Sequence, residues 1–174
     1  MIEHVATSDT ILVDTGPLLT LLTLDYLRET GAAEARRGAV LADIRRERQW
    51  TVIEEELLSE LLSQYGRLLT TPHVVAEVFK LREHSELKGD QYRFRRIAMS
   101  SFKKANLQEE HCSLVDLALN EDSVEWVCSF GVIDAMLLHV SMKEDCLILT
   151  DDTRLLRAGT GRILILDREL SPGR

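Results

Sequence analysis

The sequence predicts an α/β fold in which a parallel sheet is covered by helices on both faces. Two observations carry that expectation. Short apolar runs bounded by turn residues, Ile11 to Asp14, Cys146 to Thr150 and Ile163 to Leu166, have the length of strands and the unbroken apolar character of strands buried on both sides. Longer segments with apolar residues at helical spacing lie between them, and strands that alternate with helices build parallel sheets.

Taken in order, Ile11 to Asp14 reads as the first strand. "GPLLTLLTLDYLRET" follows as a helix entered at Pro17 and stopped at Gly31, because proline suits the first helical turn and glycine the end. From Ala32 to Gly66 the pattern stays helical. Ala33, Val40, Leu41 and Ile44 share one face and Leu57, Leu58, Leu61 and Leu62 another, with breaks expected near Gly38 and Gln49-Trp50. "RLLTTPHVVAEVFKLRE" gives a short extended piece and a helix entered at Thr71-Pro72. "GDQYRFRRIAMSSFKKANL" continues as a helix carrying Arg and Lys. The last third gives a helix around Val132 to Met142, a strand from Cys146 to Thr150, a short helix after Asp151 and a strand from Ile163 to Leu166.

No repeat, low-complexity segment or linker divides the chain. With 45% hydrophobic and 29% charged residues over 174 positions it suits one globular domain, residues 1–174, with a sizeable core. A net charge of −8 argues against a polycation that coats nucleic acid, and leaves room for a local basic stripe or a cation site. Cys112, Cys128 and Cys146 lack the paired spacing of a zinc site or disulfide framework, so they read as buried small hydrophobes in a reducing compartment. No apolar run approaches the ~20 residues of a membrane span and "MIEHVATSDT" is unlike a signal peptide, so a cytoplasmic location and no membrane partner are expected. The five histidines, His4, His73, His84, His111 and His139, show no ligand spacing and read as surface or core residues.

Four acidic positions stand where charge is awkward. Asp14 sits at the end of an apolar strand. Glu77 lies on the stripe set by Val74, Val78 and Leu81, facing inward or nearly so. Asp134 falls early in an apolar helix, on the side of Leu137 and Leu138. Asp151 and Asp152 follow Thr150 at a second strand end, which should share one sheet edge with Asp14. Each has an ordinary explanation: Asp14, Asp134 and Asp151 could cap helices, and Glu77 could snorkel or pair with an Arg. Together they are costly, because crowded buried carboxylates repel and take up protons unless a divalent cation holds them ionised. Hard oxygen donors of this kind are what Mg²⁺ or Mn²⁺ prefers.

The order "VDTGPLL", "TTPHVVAEV", "GVIDAMLLHVS", "LILTDDTRLL" resembles the PIN-domain ribonucleases, a family that includes the toxins of many bacterial toxin-antitoxin pairs. The resemblance runs from Ile11 to about Leu166, with a longer helical insert around Ala32 to Gln64 than a compact toxin needs. It implies a three-layer α/β/α sandwich and a metal-dependent endoribonuclease that hydrolyses single-stranded RNA. Asp14, Glu77 and Asp134 match the family's first three acids. The family's Thr, any residue, Asp pattern favours Asp152 as the fourth, with Thr150 as its polar companion and Asp151 as the alternative. Asp14 and Asp134 are expected as direct ligands of Mg²⁺ or Mn²⁺, Glu77 and Asp152 as ligands through water or as groups that orient the attacking water. Thr15 and Thr150 are expected to hydrogen-bond a ligand carboxylate. An antitoxin partner follows from the toxin reading, and a homodimer is left open.

RNA contact is assigned to Arg93, Arg95, Arg96, Lys103 and Lys104, with Tyr92 and Phe94 interleaved for stacking; a solvated helix face is the alternative. Arg36, Arg37, Arg45, Arg46 and Arg48 read as plain surface. Two rival readings remain: a catalytically silent module that keeps the fold to bind RNA or protein, and an aspartic protease, since "VDTG" also presents a catalytic aspartate in those all-β enzymes.

Overall fold

The structure, a computed structural model, describes residues 8–45, 52–81 and 90–166. Five strands form one sheet: β1 (Thr10–Val13), β2 (Arg67–Thr70), β3 (Gln108–Glu109), β4 (Leu147–Thr150) and β5 (Ile163–Ile165), in the order β3-β2-β1-β4-β5. Every neighbouring pair is parallel. Ile11, Leu12, Val13, Ile148 and Leu149 are fully buried, which is why these strands read as continuous apolar runs.

Helices α1 (Thr15–Glu29), α2 (Glu34–Arg45), α3 (Val52–Ser63), α4 (Pro72–Leu81) and α5 (Gln91–Lys104) precede β3. Helices α6 (Leu114–Ala118), α7 (Glu121–Phe130) and α8 (Val132–Lys143) lead into β4. Helix α1 packs against α2, α4 and α5, while α8 packs against α6 and α7. The sheet lies between these groups, so the architecture is the expected three-layer α/β/α sandwich. An all-parallel sheet flanked by helices has no place for the all-β aspartic protease reading. Among the described residues no helix is long and apolar enough to cross a membrane.

Several local expectations are corrected. Helix α1 begins at Thr15, two residues before Pro17, because Asp14 caps it. Gly38 lies inside α2 without breaking it, and Gln49-Trp50 falls outside the described residues. The pieces β3, α6 and α7 were not anticipated: β3 has two exposed residues and no apolar signal. The segment after Asp152 is a 3-10 helix, Thr153–Ala158. Cys112 and Cys146 are buried as expected, whereas Cys128 is exposed. Arg37 is more than surface, since it joins Arg28 on the buried carboxylate of Glu55, tying α1, α2 and α3 together. Arg36 is exposed, and the side chain of Arg45, with Arg46 and Arg48, lies outside the described residues.

Candidate metal centre

The chain runs outward from β1 through β2 to β3, then returns across the sheet to β4, so its direction reverses between β1 and β4. At such a reversal the following connections leave toward opposite faces and open a crevice at the carboxyl ends of the strands. Val13 pairs with Leu149, and the Asp14 amide donates to the Leu149 carbonyl at 3.0 Å, which sets Asp14 beside Thr150 on that edge as expected.

Asp14 is buried, and its two oxygens are held separately. Oδ1 accepts from the Thr15 amide at 2.6 Å, and Oδ2 accepts from the Thr150 hydroxyl at 2.6 Å. Glu77 reaches the same place from α4, where its Oε2 accepts from the Thr15 hydroxyl at 2.7 Å. Both threonines therefore hold a carboxylate, Thr15 that of Glu77 and Thr150 that of Asp14. Asp134 projects half-buried from the first turn of α8. Asp151 is exposed, but its carboxylate lies over α1: a methyl group on Gly16 would overlap Oδ2. Glycine at position 16 is what lets that carboxylate come so close.

The charges feel one another. Burial raises the Asp14 pKa above the ordinary carboxylate value, the hydrogen bonds from Thr150 and Thr15 oppose that, and the charges of Glu77 and Asp151 add to it. Asp134 is pushed up to about 6, first by burial and then by Asp14 and Asp152, with Arg154 acting against the shift. These four acids, with Asp152, form one electrostatic cluster drawn from β1, α4, α8 and the end of β4.

Asp152 stands apart in its pairing. It caps the 3-10 helix by accepting from the Arg154 amide at 2.8 Å, and it takes Arg154 Nε and Nη2 on the same carboxylate. Its pKa is lowered, chiefly by that guanidinium. Arg154 Nη2 also lies 3.7 Å from Asp134 Oδ2. Sequence reading missed Arg154, although an Arg two residues after a capping Asp is placed by one turn to fold back on it. In this arrangement no three His, Cys, Asp or Glu side chains among the described residues converge closely enough to hold one ion. The donor set nonetheless fits a hard divalent cation: the groups are all oxygen donors, and two of them carry burial and mutual repulsion that a cation relieves.

The basic residues assigned to RNA are elsewhere. Arg93 and Arg96 line a shallow pocket with Tyr92, Ile97 and Glu29, and Lys104 pairs with Glu29 at 2.9 Å. Glu29 ends the helix that Thr15 begins, so this patch stands roughly 20 Å from the acids at 1.5 Å per residue. Arg95 and Lys103 are exposed on the same helix. Tyr92 is 80% exposed, but Phe94 is fully buried against the Tyr26 ring at 5.6 Å, which corrects its expected part in stacking. His73 and His111 are exposed, His139 is half-buried against Ser123, and His4 and His84 lie outside the described residues.

A family model described as PIN domain matches residues 38–160. The match takes in Glu77, Asp134, Asp151 and Asp152 and begins after Asp14, whose place beside them comes from the pairing of β1 with β4. No curated protein matches the chain.

Proposed function

The chain belongs to the PIN-domain family, whose fold is of nuclease type, and on that premise we propose that it is a Mg²⁺- or Mn²⁺-dependent endoribonuclease acting on single-stranded RNA. The observation that carries the reading is the buried Asp14 carboxylate, set at the sheet's reversal point among Glu77, Asp134 and Asp151 with burial and repulsion both raising its pKa. Asp14, Glu77, Asp134 and Asp152 would hold the cation, with Asp151 the alternative to Asp152. The chemistry such a cation supplies is neutralisation of phosphate charge and activation of water.

The protein's part is to keep the carboxylates ionised and aimed. The Thr150 hydroxyl favours the charged form of Asp14, and the Thr15 hydroxyl fixes Glu77. Arg154 pairs with Asp152 and stands 3.7 Å from Asp134, and a guanidinium does not give up its proton. That favours attack by water over attack by the neighbouring 2′-hydroxyl, which needs a paired acid and base. Arg93, Arg95, Arg96, Lys103 and Lys104, with exposed Tyr92, would meet an RNA strand away from the cut, guiding a substrate that spans the length of α1.

Incubating end-labelled hairpin RNA with the protein and Mn²⁺, with EDTA as control, tests the reading. The expected products carry 5′-phosphate and 3′-hydroxyl ends and vanish with EDTA. Cyclic phosphate ends, or cutting undiminished by EDTA, overturn it. A toxin role adds a separate expectation: growth arrest on expression, relieved by a small protein encoded beside this one.

A further inference from the structure

One guanidinium joins two acids that come from separate parts of the chain. Arg154 reaches Asp152 through Nε, at 2.8 Å to Oδ2, and through Nη2, and the same Nη2 stands 3.7 Å from Asp134 Oδ2 across the gap between the 3-10 helix and α8. The Arg154 side chain is 62% exposed, so it is free to swing outward. Arg157 adds positive charge near Asp152, and Arg154 pairs with it directly.

Resting on the metal-site reading above, we propose that Arg154 is the resident counterion of the cluster: it bridges Asp134 and Asp152 in the cation-free protein and is displaced when a divalent cation draws on those carboxylates. The arrangement explains why, among the described residues, three ligands do not converge on one point. Asp152 is turned to the guanidinium, and Asp134 lies within reach of the same group. An exposed, bidentate pair is strong enough to order the cluster and weak enough to yield to a doubly charged ion. Lysine offers no planar fork to span both carboxylates.

Mn²⁺ affinity, read by the loss of the free-ion electron paramagnetic resonance signal, tests this on the full chain for wild type, Arg154→Ala and Arg154→Lys. Removing a competitor should tighten Mn²⁺ binding by about three- to fivefold in Arg154→Ala, the range an exposed ion pair reaches, with Arg154→Lys between. In EDTA, Arg154→Ala should melt below wild type, because two acids lose their counterion. Unchanged or weaker Mn²⁺ binding in Arg154→Ala overturns the exchange and leaves the metal site standing. A wild-type protein that binds no Mn²⁺ removes the site itself, and the exchange with it.

Discussion

Asp14 caps α1 with one carboxylate oxygen and receives the Thr150 hydroxyl on the other, so the structural and functional explanations for an aspartate at a strand end meet in one side chain. Its substitution separates them. Asp14→Asn keeps a capping oxygen and removes the charge, so cleavage should fall to background while circular dichroism stays that of wild type. Thr150→Val removes the donor to Asp14 Oδ2 and leaves the Thr15 amide on Oδ1, and a loss of roughly ten- to a hundredfold in Mn²⁺ affinity is expected by calorimetry, the usual cost of an outer-shell partner. Retention of wild-type affinity would show that the hydroxyl does not set the carboxylate. Gly16 offers a way to tell Asp151 from Asp152. In Gly16→Ala the new methyl pushes the Asp151 carboxylate aside and leaves Asp152 alone. If Asp152 is the ligand, Mn²⁺ affinity survives Gly16→Ala and is lost in Asp152→Asn; the reverse pattern assigns Asp151.

Helix α5 shows what periodicity reveals and what it conceals. Its alternation of aromatic and basic residues suggests a stacking face, yet Phe94, Ala98 and Ser101 are buried at helical spacing, and that spacing could have separated Phe94 from Tyr92. Phe94→Ala should destabilise the protein by about 3–5 kcal/mol in denaturant titration, as for other buried aromatics. Tyr92→Ala should leave the midpoint unchanged and weaken RNA binding by roughly tenfold, the value of one stacked base. Equal RNA binding would leave α5 with a structural part alone. The acids Asp14, Glu77 and Asp134 were legible because each breaks an apolar stripe or run, which makes a charge conspicuous. Arg154 was not, since a pairing two residues back in a 3-10 turn leaves no periodic trace, and β3 was not, since its two exposed residues follow the sheet edge already set by β2.

Over the whole molecule, the cluster is a cost that the fold carries. Asp134 binds protons more readily folded, at about 6, than unfolded, so between those two pKa values the native state holds the extra proton and stability falls as pH rises. The full penalty is present above the folded value, and Asp14, also raised, acts in the same direction. Asp152, whose pKa is lowered, contributes the opposite sign, but its stabilisation is lost below the ordinary carboxylate range. Metal-free wild type should therefore gain stability relative to Asp134→Asn as pH falls from about 7.5 to about 5, and a flat difference would contradict the shift. The most direct measurement of the central claim is thermal melting of wild type and Asp14→Asn at neutral pH, in EDTA and in Mn²⁺. With Mn²⁺ about a hundredfold above its dissociation constant, wild type should melt roughly 5–10 °C higher, while Asp14→Asn should start at or above the metal-free wild type and shift little. No shift in wild type at millimolar Mn²⁺, or an equal shift in Asp14→Asn, would contradict a cation held by these acids.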